Sequence, residues 1–178
     1  MFLAVQKQLK KKAGKYMDQI QYEIRTAIGP LYLVASKDGL QGVFFNKRPI
    51  KSIQGLGLVK PEEKILSKAV RQIEEYFTGK RKQFDISLNF SGTVFQKQVW
   101  RELSKIPFGK TASYSDIARR VKNPRAVRAV GSANGKNPAC IIIPCHRVIA
   151  ADGSIGGYSG GIKIKQRLLK FEQINSSN

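Results

Sequence analysis

Cys140, Cys145 and His146 are the only cysteines and the only histidine of this chain, and they fall in one short segment, NPACIIIPCHRV, from Asn137 to Val148. Thiolate is the reactive form of cysteine, and a neighbouring imidazole or cation promotes it, so Cys145 beside His146 is a candidate activated nucleophile. A small buried thiol next to a surface histidine fits the same two letters. Ile141 to Ile143 predicts a short buried strand that Pro144 ends, with Cys145 and His146 at its exit. Neighbours in an extended segment face opposite sides, so the thiol and imidazole would communicate through a bridging water. A four-ligand zinc site of Cys and His alone cannot be assembled within one such chain. So few cysteines fit free thiols in a reducing compartment.

The elements that must position this segment are legible in the periodicity. Ile20 to Ile28, Leu31 to Ala35 and Leu40 to Phe45 read as strands, separated by Gly29-Pro30 and Asp38-Gly39 turns. From Pro61, Ile65, Leu66, Ala69, Val70, Ile73 and Phe77 recur at helical spacing up to Gly79. Phe84, Ile86 and Leu88 alternate as in a strand, and Asn89 to Gly92 marks a domain boundary, giving units 1–88 and 89–178. The second half opens with a helix from Thr93 to Lys105, whose Val94, Phe95, Val99, Trp100 and Leu103 form one apolar stripe. Ser115-Asp116 predicts the cap of a short helix ending at Val121, and a second helix runs from Pro124 to Ala133. Two helices on a tight turn with Arg125 and Arg128 form a helix-turn-helix pattern. The last helix is expected from Ile162 to Gln173.

Composition names a partner class. The 178 residues carry a formal charge of +20 with 42% hydrophobic residues, and both halves are basic. That balance predicts a folded protein with a polyanionic partner, nucleic acid first. The start, MFLAVQKQLKKKAGK, is too short in apolar residues for a secretory signal and reads as a solvated basic extension. No apolar run has the length of a membrane span, so the expectation is a soluble, cytoplasmic, nucleoid-associated monomer, nuclear in a eukaryote.

PCHRV, the upstream RAVRAVGSANGKNP and the downstream GGYSGG together resemble the O6-alkylguanine-DNA alkyltransferase family in order and spacing, over Phe95 to Glu172. The resemblance implies an α/β two-domain protein: an N-terminal ribonuclease-H-like domain and a C-terminal winged-helix-like domain that binds double-stranded DNA. It implies direct, irreversible transfer of the alkyl group from O6 of guanine, and from O4 of thymine, to Cys145, with no metal or cofactor. His146 would be the water-bridged base and Glu172 its orienting carboxylate. Asn137 would be the hinge between the recognition helix and the cysteine strand, and Tyr114 the donor to guanine N3. Arg128 would replace the flipped base in the stack. Tyr158 and Ser159 would surround O6, while Val148 and Lys165 would also contact substrate or DNA. Ala126, Ala129, Gly131 and Ser132 would let the recognition helix lie in the minor groove. Cys140 stands where the family places a small apolar residue or proline.

Three other readings compete. An alkyltransferase-like lesion sensor would lack the acceptor thiol, and Cys145 is present. A winged-helix transcription factor would call for a dimer interface and sequence-selective binding. A Cys-His hydrolase would turn over an ester or amide.

Overall fold

The computed structural model describes residues 18 to 176, so the basic N-terminal stretch, residues 1 to 15, lies outside the described residues. Three antiparallel strands form a meander: β1 (Ile20–Thr26), β2 (Gly29–Ser36) and β3 (Gly39–Phe44). A two-residue strand, β4 (Lys51–Ser52), pairs parallel with β1, giving the order β3-β2-β1-β4. Helix α1 (Pro61–Phe77) covers this sheet with Leu66, Ala69, Gln72, Ile73 and Tyr76 buried. The apolar stripe drawn from sequence is thus rotated slightly: Phe77 is only half-buried, and Tyr76 lies fully inside.

Phe84 to Leu88 does not form the expected strand. Its backbone is held by a side chain instead, because Gln72 donates to the Asp85 carbonyl (3.0 Å) and accepts from the Asp85 amide (2.9 Å). Only one bridge, Leu40 to Leu88, ties the segment to β3. A buried amide has satisfied the groups that a strand would have paired.

The second half is helical. Helix α2 (Val94–Leu103) starts from a Thr93-Gln96 capping box and buries Val99, Trp100 and Leu103. Strand β5 (Ala112–Ser113) leads into α3 (Tyr114–Arg120), whose cap is Ser113, earlier in the chain than the expected Ser115-Asp116. Asp116 instead closes the capping box by accepting from the Ser113 amide at 2.8 Å. This makes Tyr114 the first helical residue. Helix α4 (Val127–Gly135) begins three residues after Pro124, because Asn123 to Ala126 closes a turn through Ala126 N–H to the Asn123 carbonyl (3.0 Å). The Trp100 indole N–H donates to the Ala133 carbonyl (2.9 Å) and locks α4 onto α2. A short strand, β6 (Val148–Ile149), pairs parallel with β5, and α5 (Ile162–Ser176) closes the chain.

The largest departure from the sequence expectation concerns the cysteine segment itself. Ile141 to Ile143 is buried but is not a strand: Ile141 takes φ of 72°, and Ile142 N–H reaches back to the Cys140 carbonyl at 2.8 Å. Cys145 to Arg147 then forms one 3-10 turn. A β-branched residue in the left-handed region is costly and persists only where packing over-determines it. Here burial of the three isoleucines and clamps from both sides supply that constraint.

One clamp comes from the sheet. Val43 N–H donates to the Pro138 carbonyl (2.9 Å) and its carbonyl accepts from Cys140 N–H (3.1 Å), so the loop before Cys145 docks on the edge of β3. Gly42 makes this approach possible, since a Cβ there would lie 2.7 Å from the Pro138 oxygen and 2.4 Å from the Phe44 ring. Gly42→Ala is therefore expected to destabilise the protein by about 1–3 kcal/mol, as overpacking does. Urea unfolding measures it; an unchanged midpoint would mean that the docked geometry is not needed.

Candidate functional site

Cys145 lines a cavity of about 390 Å³ together with Tyr114, Gly131, Asn134, Gly135, Gly157, Tyr158 and Ser159. The volume suits a small aromatic ligand. A larger cavity, about 580 Å³, opens between the two halves along Lys82 to Leu88 and Ser104 to Phe108, without the reactive thiol. Tyr114 reaches the smaller cavity from the start of α3, Gly131, Asn134 and Gly135 from one side of α4, and Tyr158 and Ser159 from the Gly-rich loop before α5.

Asn137 holds the cysteine loop at both ends. Its Nδ2 donates to the Ile143 carbonyl (2.7 Å) and its Oδ1 accepts from Ala139 N–H (3.0 Å). Asn134, from α4, adds a longer contact to the Cys145 carbonyl (3.4 Å). The thiol is 2% exposed. Burial pushes it above its ordinary pKa, opposed by Asn137, the Lys165 charge, the local backbone and the Tyr158 hydroxyl, which makes no hydrogen bond of standard geometry. The resting sulfur is thus a protonated thiol that needs a base at the moment of attack. Cys140 is also buried, and burial first, then the neighbouring Cys145, raises it further.

His146 is fully buried, not on the surface, and its Nε2 lies 2.8 Å from Glu172 Oε1. Burial holds its pKa below the ordinary value, against the hydrogen bond and charge of Glu172. Glu172 would itself be raised by burial, but hydrogen bonds and charge from His146 and Arg147 hold it down at about 2. An ionised carboxylate only accepts, so Nε2 carries the proton and Nδ1 keeps its lone pair. That Nδ1 is buried and has no partner among the described residues, as a base awaiting a proton requires.

Glu172 was expected only to orient His146, and it does more. Arg147 grips it with Nε to Oε2 (2.8 Å) and Nη2 to Oε1 (2.9 Å), while Nη1 donates to the Ile106 carbonyl (2.6 Å). Gly109 N–H donates to Oε2 (3.1 Å), at a φ of 73° where a Cβ would meet Ser176. Tyr76 OH donates to Oε1 (2.7 Å) from the other half of the chain. Sequence reasoning missed Arg147, Gly109 and Tyr76. Arg147 stands inside PCHRV, and Tyr76 lies on the buried side of α1, where a hydroxyl needs a partner.

Two expected contact residues sit elsewhere. Lys165 is fully buried in α5 and donates to the Val148 carbonyl (2.6 Å) and to the Ile155 carbonyl, so it fastens the loop rather than facing solvent. Val148 is buried in β6, does not line the cavity, and its carbonyl accepts from Lys165. Arg128, Ala129 and Ser132 lie on the exposed side of α4, with Ala126 and Gly131 half-buried. Among the described residues no cluster of His, Cys, Asp and Glu fits a metal ion, and no helix is long and apolar enough to cross a membrane.

An α/β half joined to a helix-turn-helix half that carries one cavity-facing thiol defines a DNA-binding protein with a built-in nucleophile. Two family models match: the 6-O-methylguanine DNA methyltransferase ribonuclease-like domain over residues 22–90 and the corresponding DNA binding domain over 94–174. The chain belongs to the 6-O-methylguanine DNA methyltransferase family. It is 47% identical over 145 residues to a methylated-DNA--protein-cysteine methyltransferase of Methanosarcina acetivorans, covering 82% of this chain and 92% of that one. The inducible enzyme of that name from Bacillus subtilis is 44% identical over 154 residues, covering 82% and 86%. A crystal structure of Mycobacterium tuberculosis O6-methylguanine methyltransferase superposes with a TM-score of 0.78 at 39% identity, covering 88% and 94%. The same scores hold for Mycobacterium tuberculosis OGT in complex with DNA.

The buried pair makes folding sensitive to acid. His146 is held below its ordinary 6.5 and Glu172 at about 2 against 4.5, so in both cases the unfolded chain takes up the proton first as pH falls. Stability is expected to decline below pH 6.5 through His146, then between 4.5 and about 2 through Glu172. Glu172→Gln should cost about 3 kcal/mol or more at neutral pH, as breaking a buried ion pair does. It should also flatten the decline below pH 4.5. Urea unfolding across this range decides; a variant that keeps the native slope there sinks the assignment.

Proposed function

We propose that this protein repairs O6-alkylguanine, and O4-alkylthymine, in double-stranded DNA by moving the alkyl group irreversibly onto Cys145. The observation that carries the reading is Cys145 lining a cavity beside Tyr114, in sequence with a neutral His146 held by Glu172. The names of the relatives and the relative crystallised with DNA support it.

In the proposed step the thiol proton passes through a bridging water to His146 Nδ1. Sγ attacks the alkyl carbon, a carbon–sulfur bond forms, and the carbon–O6 bond breaks with its electron pair going to guanine. Tyr114 donates toward N3 of the departing purine, which stabilises charge appearing on the ring. Its phenol is raised by burial and by Cys145, so it stays a donor. His146 becomes an imidazolium facing Glu172. The product is a thioether, which has no carbonyl for water to attack, so each molecule acts once.

Helix α4 would lie in the minor groove on its small exposed residues, with Arg128 filling the place of a flipped nucleotide. Arg119, Arg120, Arg125 and Lys136 are exposed around it, matching a phosphate backbone. The protein would act as a monomer, divided functionally near residue 88, in the compartment that holds the DNA.

With excess alkylated DNA, transfer should stop at about one alkyl group per chain, all on Cys145 by peptide mass mapping. Cys145→Ser should bind such DNA and leave it alkylated. Repeated turnover by the native protein, or label on Cys140, would refute the mechanism.

Arg128→Ala should slow repair in duplex DNA by about tenfold or more, while reaction with free O6-benzylguanine stays within about twofold, since only the duplex requires flipping. Equal slowing on both substrates removes the role assigned to Arg128.

A further inference from the structure

The carboxylate behind His146 belongs to the helix-turn-helix half, but one of its donors does not. Tyr76 comes from α1, 96 residues earlier, is fully buried, and its hydroxyl meets the same Oε1 that accepts from His146 Nε2. Its ring is fixed by aromatic neighbours on several elements: Phe77 at 5.1 Å, Phe171 at 5.4 Å, Phe84 at 5.7 Å and Phe108 at 5.8 Å between centroids. A hydroxyl pinned in this way has one direction in which to donate. The step proposed above draws its sulfur, base, carboxylate and Tyr114 donor from the second half of the chain alone.

We propose that Tyr76 is a positioning residue for alkyl transfer: by holding Glu172 Oε1, the N-terminal half sets both the orientation of His146 and its readiness to take the thiol proton. The idea rests on the alkyl-transfer reading above. The physical chain is short. Each donor on a carboxylate draws charge from it and makes it a weaker partner for a cation. Removing the Tyr76 hydroxyl leaves more negative charge on the oxygen that faces His146, favouring the imidazolium. A histidine already protonated cannot act as base, so the acid limb of the reaction must move to higher pH.

The other groups acting on His146 stay in place in that variant. Glu172 and Lys165 reach it from α5, Arg147 from the 3-10 turn in which Cys145 is its chain neighbour, and Tyr158 from the Gly-rich loop, edge-on at 6.4 Å between centroids. Glu172 favours the imidazolium, while Arg147 and Lys165 oppose it. Tyr76 differs from all of them in coming from the N-terminal half, and its hydroxyl donates to Glu172.

His146 is the only histidine of the chain, so the one Cε1–H resonance of its kind can be titrated by NMR without assignment by mutation. Tyr76→Phe keeps the ring and its packing and removes only the donor. We expect the His146 midpoint in the full-length variant to rise by about half a pH unit or more, a fraction of what one hydrogen bond to a charge can shift. The acid limb for free O6-benzylguanine should move in parallel, with the rate on that limb falling roughly threefold at a given pH. Leu66→Ala is the control, since it removes a fully buried side chain from the same helix, ten residues before Tyr76, and leaves the aromatic cluster and the hydroxyl. It should lower the unfolding midpoint without moving either titration. In the native protein, the Tyr76 hydroxyl proton should be protected from exchange and show a nuclear Overhauser contact to the His146 ring.

An unmoved His146 titration in Tyr76→Phe, equal shifts in Tyr76→Phe and Leu66→Ala, or the lack of a protected hydroxyl proton in the native protein would overturn the proposal. The last measurement needs no variant, so it decides even where Tyr76→Phe fails to fold. The NMR titration involves no alkyl group. A shifted His146 in a protein that transfers no alkyl group to Cys145 would therefore overturn the functional reading and leave the Tyr76-Glu172-His146 coupling standing.

Discussion

A buried carboxylate with five hydrogen bonds organises this molecule. Glu172 accepts from Tyr76, His146, the Gly109 backbone and two nitrogens of Arg147, at distances of 2.7 to 3.1 Å. Burying one negative charge costs several kcal/mol unless its lone pairs are satisfied and an opposite charge is near. Every one of those donors must therefore arrive together, and they come from α1, the loop after α2 and the 3-10 turn. The requirement fixes where α5 meets the rest of the chain. It also dictates the histidine tautomer, because an acceptor-only oxygen at Nε2 leaves the lone pair at Nδ1.

The cysteine needs a different kind of support. A thiol meant to attack once has to be kept from water and from casual oxidation, yet reachable by one ligand. Burial and a protonated resting state supply the first condition, and the cavity between α4 and the Gly-rich loop supplies the second. The irregular path from Cys140 to Arg147 is what aims the sulfur there. A regular strand would point alternate side chains to opposite faces, whereas the left-handed Ile141 and the 3-10 turn allow Cys145 to face the cavity and Arg147 to face Glu172. Asn137 and the β3 edge hold that path in place.

These two constraints tie the halves of the chain into one mechanism. The apolar core runs continuously from the sheet, through α1, into α2, α3 and the isoleucine loop. The α/β half is thus more than a passive support, since it provides both the strand edge on which the cysteine loop docks and a hydroxyl on the carboxylate. The exposed cations of α3 and α4 remain on the opposite, solvent side, where electrostatic attraction to a polyanion does not disturb the buried network.

Much of this was present in the residues as letters. Turn residues and period-two alternation placed β1 to β3, and helical periodicity with Pro61 and Gly79 placed α1, because those signals are local. The nucleophile and its imidazole were legible from scarcity and adjacency, and the spaced motifs linked them to Glu172, Asn137 and Tyr114. Phe84 to Leu88 carried the letters of a strand, but the Gln72 side chain, 13 residues before Asp85, pairs with both backbone groups of Asp85. The isoleucine run likewise predicted burial correctly and conformation wrongly, because burial follows from composition while a left-handed turn follows from what clamps it. The family resemblance assigns Lys165 to substrate or DNA, and only the fold shows its ammonium satisfied by two carbonyls inside. Sequence by itself determined which groups are available for the chemistry and which helices and strands carry them. Tertiary structure decided which groups share a charge, because hydrogen bonds to one buried carboxylate join residues as far apart as Tyr76 and Glu172, and no local period records such a meeting.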